Sequence, residues 1–332
     1  DYQSLNPDRV LSAVDSAGFC TDGRMLEMNS FENRVFQIGL ENGQSIVAKF
    51  YRPERWSDAA ILEEHEYSLQ LASEEISLVP PIIDAQGQTL RHFEGFRFSL
   101  FERQGGRPPD FESHDQLRQL GRFLGRMHAI GQQSAYQYRP TLDATTFGSN
   151  CTEFLLENNF IPFELELAYK SLTDDLLIRI QWCFDRCPGM QPIRVHGDCH
   201  RGNILWTDTG AHLVDLDDSR MAPAVQDLWM FLSGSREAQE YDLNILLEGY
   251  TGFNEFDAAE LHLVEALRTL RLIHYFAWIG RRWSDPAFPR AFPWFDTQRS
   301  WEQHILDLRE QAALMEEPPL ACHISPLQSD KR

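Results

Sequence analysis

The sequence predicts an α+β protein of two lobes: a small β-rich N-lobe with one main helix, and a larger, mostly helical C-lobe. Three observations carry this expectation. The 332 residues exceed the ~250–300 at which a single hydrophobic core stops growing. Strand-like runs crowd the first part of the chain, and apolar stripes at helical spacing fill most of the remainder. Between the two textures Gly105, Gly106, Pro108 and Pro109 interrupt the pattern in "RQGGRPP". The N-lobe is therefore assigned to residues 1–103 and the C-lobe to 104–332.

Taken in order, "RVFQIGL" and "SIVAKFY" are apolar runs joined by the turn residues "ENGQ", a hairpin signal. "SDAAILEEHEYSLQLASEE" follows as a helix, with Ser57 as N-cap and Ile61, Leu62, Leu69 and Leu71 as its apolar residues. "TLRHFEG" and "FRFSLFER" pair as two more strands, so the order is strand, strand, helix, strand, strand. Past the Gly/Pro joint, Leu117, Leu120, Leu124 and Met127 make one stripe of "HDQLRQLGRFLGRMHAIG". Further helical segments follow, and among them "GNILWTDTGAHLVDLDD" is the one strand-like part, two apolar runs about the turn "TDTG".

Composition narrows the function. The chain is 42% hydrophobic and 24% charged, as in a globular protein with ample core. Fifty acidic and thirty basic residues leave a net charge of −20, which repels nucleic-acid phosphates and acidic membranes. No nucleic-acid or membrane partner is expected, and an anionic nucleotide needs a local positive pocket. No run approaches the roughly 18 apolar residues of a membrane span, and "DYQSLNPDRV" lacks the charged and apolar regions of a signal peptide. A cytoplasmic protein, monomeric by default, is the expectation. The six cysteines are scattered, which favours reduced thiols. Cys183 and Cys187 lie one helical turn apart, but no His or Cys pair at finger-like spacing follows, which argues against structural zinc.

The densest chemistry lies in "VHGDCHRGNILW". Asp198 and Asn203 are five residues apart, and Asp215 lies twelve further on across the expected hairpin. An Asp on a loop accepts a proton from an attacking hydroxyl, while an Asn and a second Asp supply hard oxygen ligands suited to Mg²⁺. Those are the parts phosphoryl transfer needs. A zinc hydrolase would want three ligands converging on one point, which the adjacent Cys199 and His200 do not readily provide. Cys199 also lacks a readable base partner for thiol catalysis. A nucleotide site needs a cation on the phosphates, and Lys49 stands in a strand beside Ala48. The helix after it carries Glu63, Glu64 and Glu66, of which Glu64 is favoured as the carboxylate that orients Lys49.

"HGDCHRGN" followed by "VDLDD", with "LGRFLGRMHAIG" and "FSLFERQGGR" before them, resembles the aminoglycoside phosphotransferase and choline kinase superfamily, relatives of the protein kinases. With "MNSFENRVFQI", "VAKFYRPERWSDAAILEEH", "PAVQDLWMFL" and "RRWSDPAFPRAFPW", the chain resembles within it a group of bacterial stress response kinases. The resemblance implies a protein-kinase-like fold and ATP as co-substrate with Mg²⁺. It implies Asp198 as catalytic base, Asn203 and Asp215 as Mg²⁺ ligands with Asp215 also catalytic, and Lys49 on the α and β phosphates. Adenine would meet the hinge backbone at Phe101, Glu102 and Arg103. Asp217 would support the metal or the loop, and Asp227 would brace the catalytic loop. No G-x-G-x-x-G loop is present, and "MNSFENRVF" stands in its place. Such loops bring backbone N–H groups close to phosphates. Asn29, Ser30 and Asn33 are small polar residues able to bend this turn, and the resemblance places Ser30 at ATP; a Ser that only bonds local backbone is the plain alternative.

His196 reads as a loop-bracing histidine, and Arg201 as either a phosphate contact or a solvated side chain. The rings of "IHYFAWIGRRWSDPAFPRAFPWF" read as packing of the helical lobe or as an acceptor pocket, with Arg281 and Arg282 as its suggestive charges. The resulting expectation is an ATP- and Mg²⁺-dependent kinase acting on Ser or Thr of proteins, itself included, in a bacterial stress response. Two alternatives stand beside it: a kinase of small-molecule hydroxyls (homoserine, choline, sugar or aminoglycoside) and a nucleotide-binding pseudokinase scaffold.

Overall fold

The computed structural model describes residues 2–323 except 110, 112 and 209. In chain order the first elements are α1 (Pro7–Ser16), β1 (Thr21–Glu27), β2 (Arg34–Leu40), β3 (Ser45–Phe50), α2 (Asp58–Ser73), β4 (Arg91–Phe93) and β5 (Phe96–Glu102). Then come α3 (His114–Gly131), α4 (Asn150–Glu157), α5 (Phe163–Asp185), β6 (Ile193–Val195), β7 (Ile204–Thr207), β8 (Gly210–Leu213) and β9 (Arg220–Ala222). The chain closes with α6 (Val225–Trp229), α7 (Arg236–Tyr250), α8 (Val264–Gly280), α9 (Ala287–Ala291) and α10 (Gln298–Leu314).

These elements form two compact units, each built from three stretches of chain. One comprises Asp1–Phe111, Tyr136–Arg139 and Arg201–Ser219; the other comprises Glu112–Ala135, Pro140–His200 and Arg220–Arg332. The hairpin β7–β8, which the sequence reading grouped with the helical part, thus belongs to the unit that holds the large sheet.

That sheet has five antiparallel strands in the order β1-β2-β3-β5-β4. Side chains alternate faces along a strand. In β3 the set Ile46, Ala48 and Phe50 is buried against Val10, Ala13 and Val14 of α1, with Phe36, Ile38, Phe98 and Leu100 from neighbouring strands. The opposite set therefore carries Lys49, and the next residue in it, Tyr51, is buried with Ile61 of α2 and Leu90. Helix α2 starts where expected, with the Ser57 side chain accepting from Ala60 N–H. Its buried face holds Ile61, Glu64, His65, Tyr67, Ser68 and Leu71, while Leu62 is exposed.

Several elements fall outside the sequence expectation. Strands β6 and β9, each only three residues long, pair as a further short sheet in a region where the sequence predicts one strand-like part. Neither α1 nor β1 is among the predicted elements. Helix α1 is capped by Asn6, whose side chain accepts from Arg9 N–H, with Pro7 at the first helical position. Strand β1 is mostly exposed and its register shifts between Thr21 and Met25, so it shows no alternation to read.

In the helical unit the apolar stripe of α3 is buried throughout, at Leu117, Leu120, Leu124 and Met127. Gly121 and Gly125 let this helix approach α7 closely: a Cβ on Gly121 would stand 2.0 Å from the Leu246 carbonyl oxygen. The aromatic stretch packs this unit, with Phe288 and Phe295 fully buried and Phe276 stacked on His304 at 3.7 Å. Tyr275 and Trp294 remain partly exposed.

Candidate active site

Lys49 is buried, which alone would lower its pKa, but Asp215 and Asp217 more than compensate and hold it well above the ordinary lysine value. Its Nζ lies 2.9 Å from Asp215 Oδ1 and 3.1 Å from Asp217 Oδ1. Among the described residues no Glu64 oxygen stands at ion-pair distance from it, so the expected partner on α2 is replaced by two carboxylates of the turn Leu216–Asp218 and its cap. Burial pushes the Glu64 carboxyl up to about 7 even though Lys49 and Arg139 pull it down. A carboxyl so often protonated near neutral pH is the weaker partner for a lysine.

The turn itself is heavily supported. Asp215 has φ 61° and ψ 68°, the left-handed region that Asp tolerates better than most residues. Asp217 is buried, which would raise its pKa, yet Arg55 and Lys49 bring it down to about 2. Arg55, unremarked in the sequence, bonds both Asp217 and Asp218. Arg139 donates to the backbone oxygens of Asp217 at 2.8 Å and Ser219 at 2.7 Å, and to that of Ala60 in α2. The short segment bearing Arg139 is fixed in turn by Glu63, whose carboxylate accepts from the N–H groups of Gln137, Tyr138 and Arg139. Glu63 is thus a glutamate of α2 with a clear hydrogen-bonding task. Trp56 lies between the two arginines, its ring 5.2 Å from Arg55 and 4.7 Å from Arg139.

Pairing of β7 with β8 sets Ile204 opposite Leu213, and Val214 N–H donates to the Asn203 carbonyl at 3.1 Å. Asn203 and Asp215 therefore flank the same end of the hairpin. Both offer hard oxygen donors, and the Asp215 side chain is half exposed. One amide and one carboxylate suit Mg²⁺, which is commonly held by one or two protein oxygens with substrate phosphates and water. Asp217 fits such a role less well, since its two oxygens already face Lys49 and Arg55.

In the helical unit Asp198 follows Gly197, whose φ of 85° suits glycine. Asp227 is wholly buried, and its carboxylate accepts from the backbone N–H groups of His196 at 2.7 Å and Gly197 at 2.9 Å. His128 Nε2 stands 3.1 Å from the same carboxylate and its Nδ1 3.0 Å from the Tyr250 hydroxyl. His196, also buried, accepts at Nδ1 from Asp198 N–H at 3.3 Å. The loop is thus shaped from beneath by α6 and α3. Asp198 reaches Arg271 of α8, Oδ1 to Nη1 at 2.7 Å, and its Oδ2 lies 3.4 Å from His200 Nε2. Burial would raise Asp198, but the bond from His200 and the charge of Arg271 outweigh it and hold the carboxyl below the usual range. It stays an anion at any ordinary pH. Burial, reinforced by Asp227 and Asp198, raises the Cys199 thiol well above its ordinary value, which makes it a poor nucleophile.

The remaining sequence candidates are dispersed. Ser30 is exposed in the turn between β1 and β2. Asn33 is buried and its Oδ1 accepts from Arg52 N–H, so that oxygen holds the turn together. Phe101 and Glu102 end β5, and Arg103 donates to Gln37. Arg201 stacks over Phe111 at 5.1 Å. Arg281 lies over Phe154 and Arg282 over Trp278, both as packing partners. All six cysteines are free, and Cys187 Sγ donates to the Ala259 carbonyl. The sequence reading assigns no role to Arg55, Arg139, Arg271 or His128, although Arg55 stands in the charge-rich "YRPERW" just after the Lys49 strand and His128 in "LGRFLGRMHAIG". Among the described residues no helix is long and apolar enough to cross a membrane.

Residues 27–264 match the APH phosphotransferase enzyme family. Stress response kinase A of Escherichia coli strain K12 is 42% identical over 321 residues, 96% of each chain. A Salmonella typhimurium protein named serine/threonine protein kinase RdoA is 39% identical over 319 residues, again 96% of each. Among solved structures, an amicoumacin kinase in complex with AMP-PNP, Ca²⁺ and Ami superposes with a TM-score of 0.71 at 18% identity, over 95% of both chains. A spectinomycin phosphotransferase with ADP and spectinomycin gives 0.61 at 14% identity, over 95% of this chain and 96% of that one. Together they establish the α+β kinase fold expected from the sequence.

Proposed function

The chain belongs to the APH phosphotransferase enzyme family, and from that premise we propose that it transfers the γ-phosphate of ATP to Ser or Thr hydroxyls of proteins, itself included, in a bacterial stress response. The observation that carries the reading is the buried lysine Lys49 paired with Asp215 at the hairpin end shared with Asn203. A cation beside two hard oxygen donors is the equipment for a nucleotide polyphosphate with its metal. Lys49 contacts the phosphates, and Asn203 and Asp215 hold Mg²⁺, which neutralises phosphate charge when bound. Asp198, five residues before Asn203 in the chain, accepts the proton of the attacking hydroxyl. A weakly basic anion suffices for that, because it has only to orient the hydroxyl and take its proton late. Asp227 and His196 keep the Asp198 loop in shape, Phe101, Glu102 and Arg103 receive adenine, and Ser30 covers the phosphates. The protein acceptor draws support from the relative named a serine/threonine protein kinase.

The test is incubation with γ-labelled ATP and Mg²⁺, alone, with a basic protein, and with a panel of amino alcohols, sugars and aminoglycosides. Label on protein that disappears in Asp198→Ala supports the proposal. Label confined to a small molecule overturns the acceptor, and nucleotide binding without transfer overturns the enzyme and leaves a scaffold.

A further inference from the structure

Each nitrogen of the Arg55 guanidinium faces a different carboxylate. Nε lies 3.4 Å from Glu32 Oε1, Nη1 bonds Asp217, and Nη2 lies 2.8 Å from Asp218 Oδ1. The side chain is largely but not fully buried and is backed by the Trp56 ring. Glu32 belongs to the turn that bears Ser30, whereas Asp217 and Asp218 belong to the turn that begins after Asp215. One arginine thus ties together the two turns between which the phosphates are proposed to bind.

The Ser30 turn has a second anchor. Arg52 donates from Nε to the Glu32 carbonyl at 2.9 Å and from Nη2 to the Phe31 carbonyl at 3.0 Å, and its N–H bonds Asn33 Oδ1 at 3.1 Å. Glycine-rich phosphate loops shape themselves by backbone freedom. This turn has no glycine between Met28 and Asn33 and is instead fixed from outside by two arginines.

Charge balance gives Arg55 a further task. Asp217 lies between Lys49 and Arg55. Without Arg55, the buried Asp217 carboxylate would depend chiefly on Lys49 for its counter-charge, and a lysine held there is less available to an incoming phosphate.

We propose that Arg55 is a positioning residue for the phosphotransfer site: it aligns the Ser30 turn with the Asp215 turn and neutralises Asp217 so that Lys49 is left to the nucleotide. It touches neither ATP nor acceptor. This rests on the nucleotide-binding reading above, and the experiment separates the two. The Kd for the Mg²⁺ complex of a non-hydrolysable ATP analogue, the KM for ATP, kcat and Tm are measured for the wild type, Arg55→Met, Arg55→Lys and Glu32→Gln.

Loss of partners one step removed from a ligand commonly costs about 10–100-fold. Arg55→Met should weaken analogue binding and lower kcat/KM by about that factor. Arg55→Lys should recover only part, because one ammonium cannot face three carboxylates in a fork. Glu32→Gln removes the carboxylate that Arg55 meets at 3.4 Å and Arg52 at 3.6 Å. It leaves the Arg52 bonds to the turn's backbone and the Arg55 bonds to Asp217 and Asp218, so it should raise KM for ATP and leave kcat close to wild type. A wild type that binds no nucleotide overturns the functional reading and this inference with it. A wild type that binds, beside a folded Arg55→Met of unchanged Kd and kcat/KM, overturns this inference alone. If Arg55→Met does not fold, Glu32→Gln decides: an unchanged KM overturns the alignment and a raised one supports it.

Discussion

Asp217 and Asp227 are both buried carboxylates, one in each unit, and they are held by opposite means. Asp217 faces two cations, Lys49 and Arg55. Asp227 accepts two backbone N–H groups, with His128 beside it. Amide dipoles belong to the chain and cannot leave, so an amide-held carboxylate fixes shape. Side-chain cations redistribute when another charge arrives, so a cation-held carboxylate is adjustable. A polyphosphate brings several negative charges, and the adjustable cluster is the one suited to receive it. Asp198 stands between these extremes, on a loop that amides shape and with a carboxylate that Arg271 meets.

If that contrast is functional, the two clusters should fail differently. The largest effect belongs to Asp198→Ala, which should lower phosphate transfer by about 10²–10⁴-fold, the usual worth of a general base, while analogue binding stays near wild type. Lys49→Met should show the reverse emphasis, losing nucleotide affinity first. Titration calorimetry beside single-turnover rates would check both, and equal losses of affinity in the two variants would erase the distinction. Next in size is Asp227→Ala. It strips two buried N–H groups of their acceptor at about 1–3 kcal/mol each, and its urea midpoint should fall further than that of Asp217→Asn, whose cations retain Asp215, Asp218 and Glu32. A smaller effect is expected of Arg271→Ala. Removing that cation raises the pKa of Asp198, so an acid limb that the wild type keeps below the ordinary pH range should enter the kcat/KM profile from the low-pH side while the alkaline limb stays. A profile that gains no acid limb would mean that His200 alone sets the carboxyl.

Much of this was legible in the chain, for reasons that differ by residue. Strands β2 and β3, helix α2 and helix α3 announce themselves through periodicity, turn residues and a Ser cap, all local signals. Strand β1 does not, because an exposed and irregular edge strand buries too little to pattern its sequence. The hairpin end that joins Asn203 to Asp215 follows from chain spacing, since a short hairpin must bring its two ends together. The partner of Lys49 does not follow from it. Helix α2 offers three glutamates in four positions, and only the fold sets Glu63 to cap a distant loop and leaves Glu64 buried. Arg271 is likewise silent in the chain, because an arginine on an amphipathic helix looks the same whether it meets water or Asp198.

Glu64 provides the finest test of the contrast, because the helical unit carries a counterpart. Burial pushes both Glu64 and Glu260 up to about 7 from an ordinary 4.5. Glu260 accepts an amide, from Val225 N–H at 2.8 Å, whereas Glu64 faces the charges of Lys49 and Arg139. A carboxyl whose folded pKa is raised binds its proton more tightly in the native state. Its contribution is therefore most favourable below about pH 4.5 and declines as pH rises through the window from 4.5 to 7. The full span is on the order of 3 kcal/mol for each group at 1.36 kcal/mol per unit. Glu64→Gln should therefore flatten part of the fall in stability between pH 5 and 8, and Glu260→Gln a separate part, read from urea midpoints at each pH. If Glu64→Gln instead destabilises the protein at pH 8, its carboxylate is serving as an anion to Lys49 in solution, and the cation-held cluster includes the glutamate that the sequence alone would have chosen.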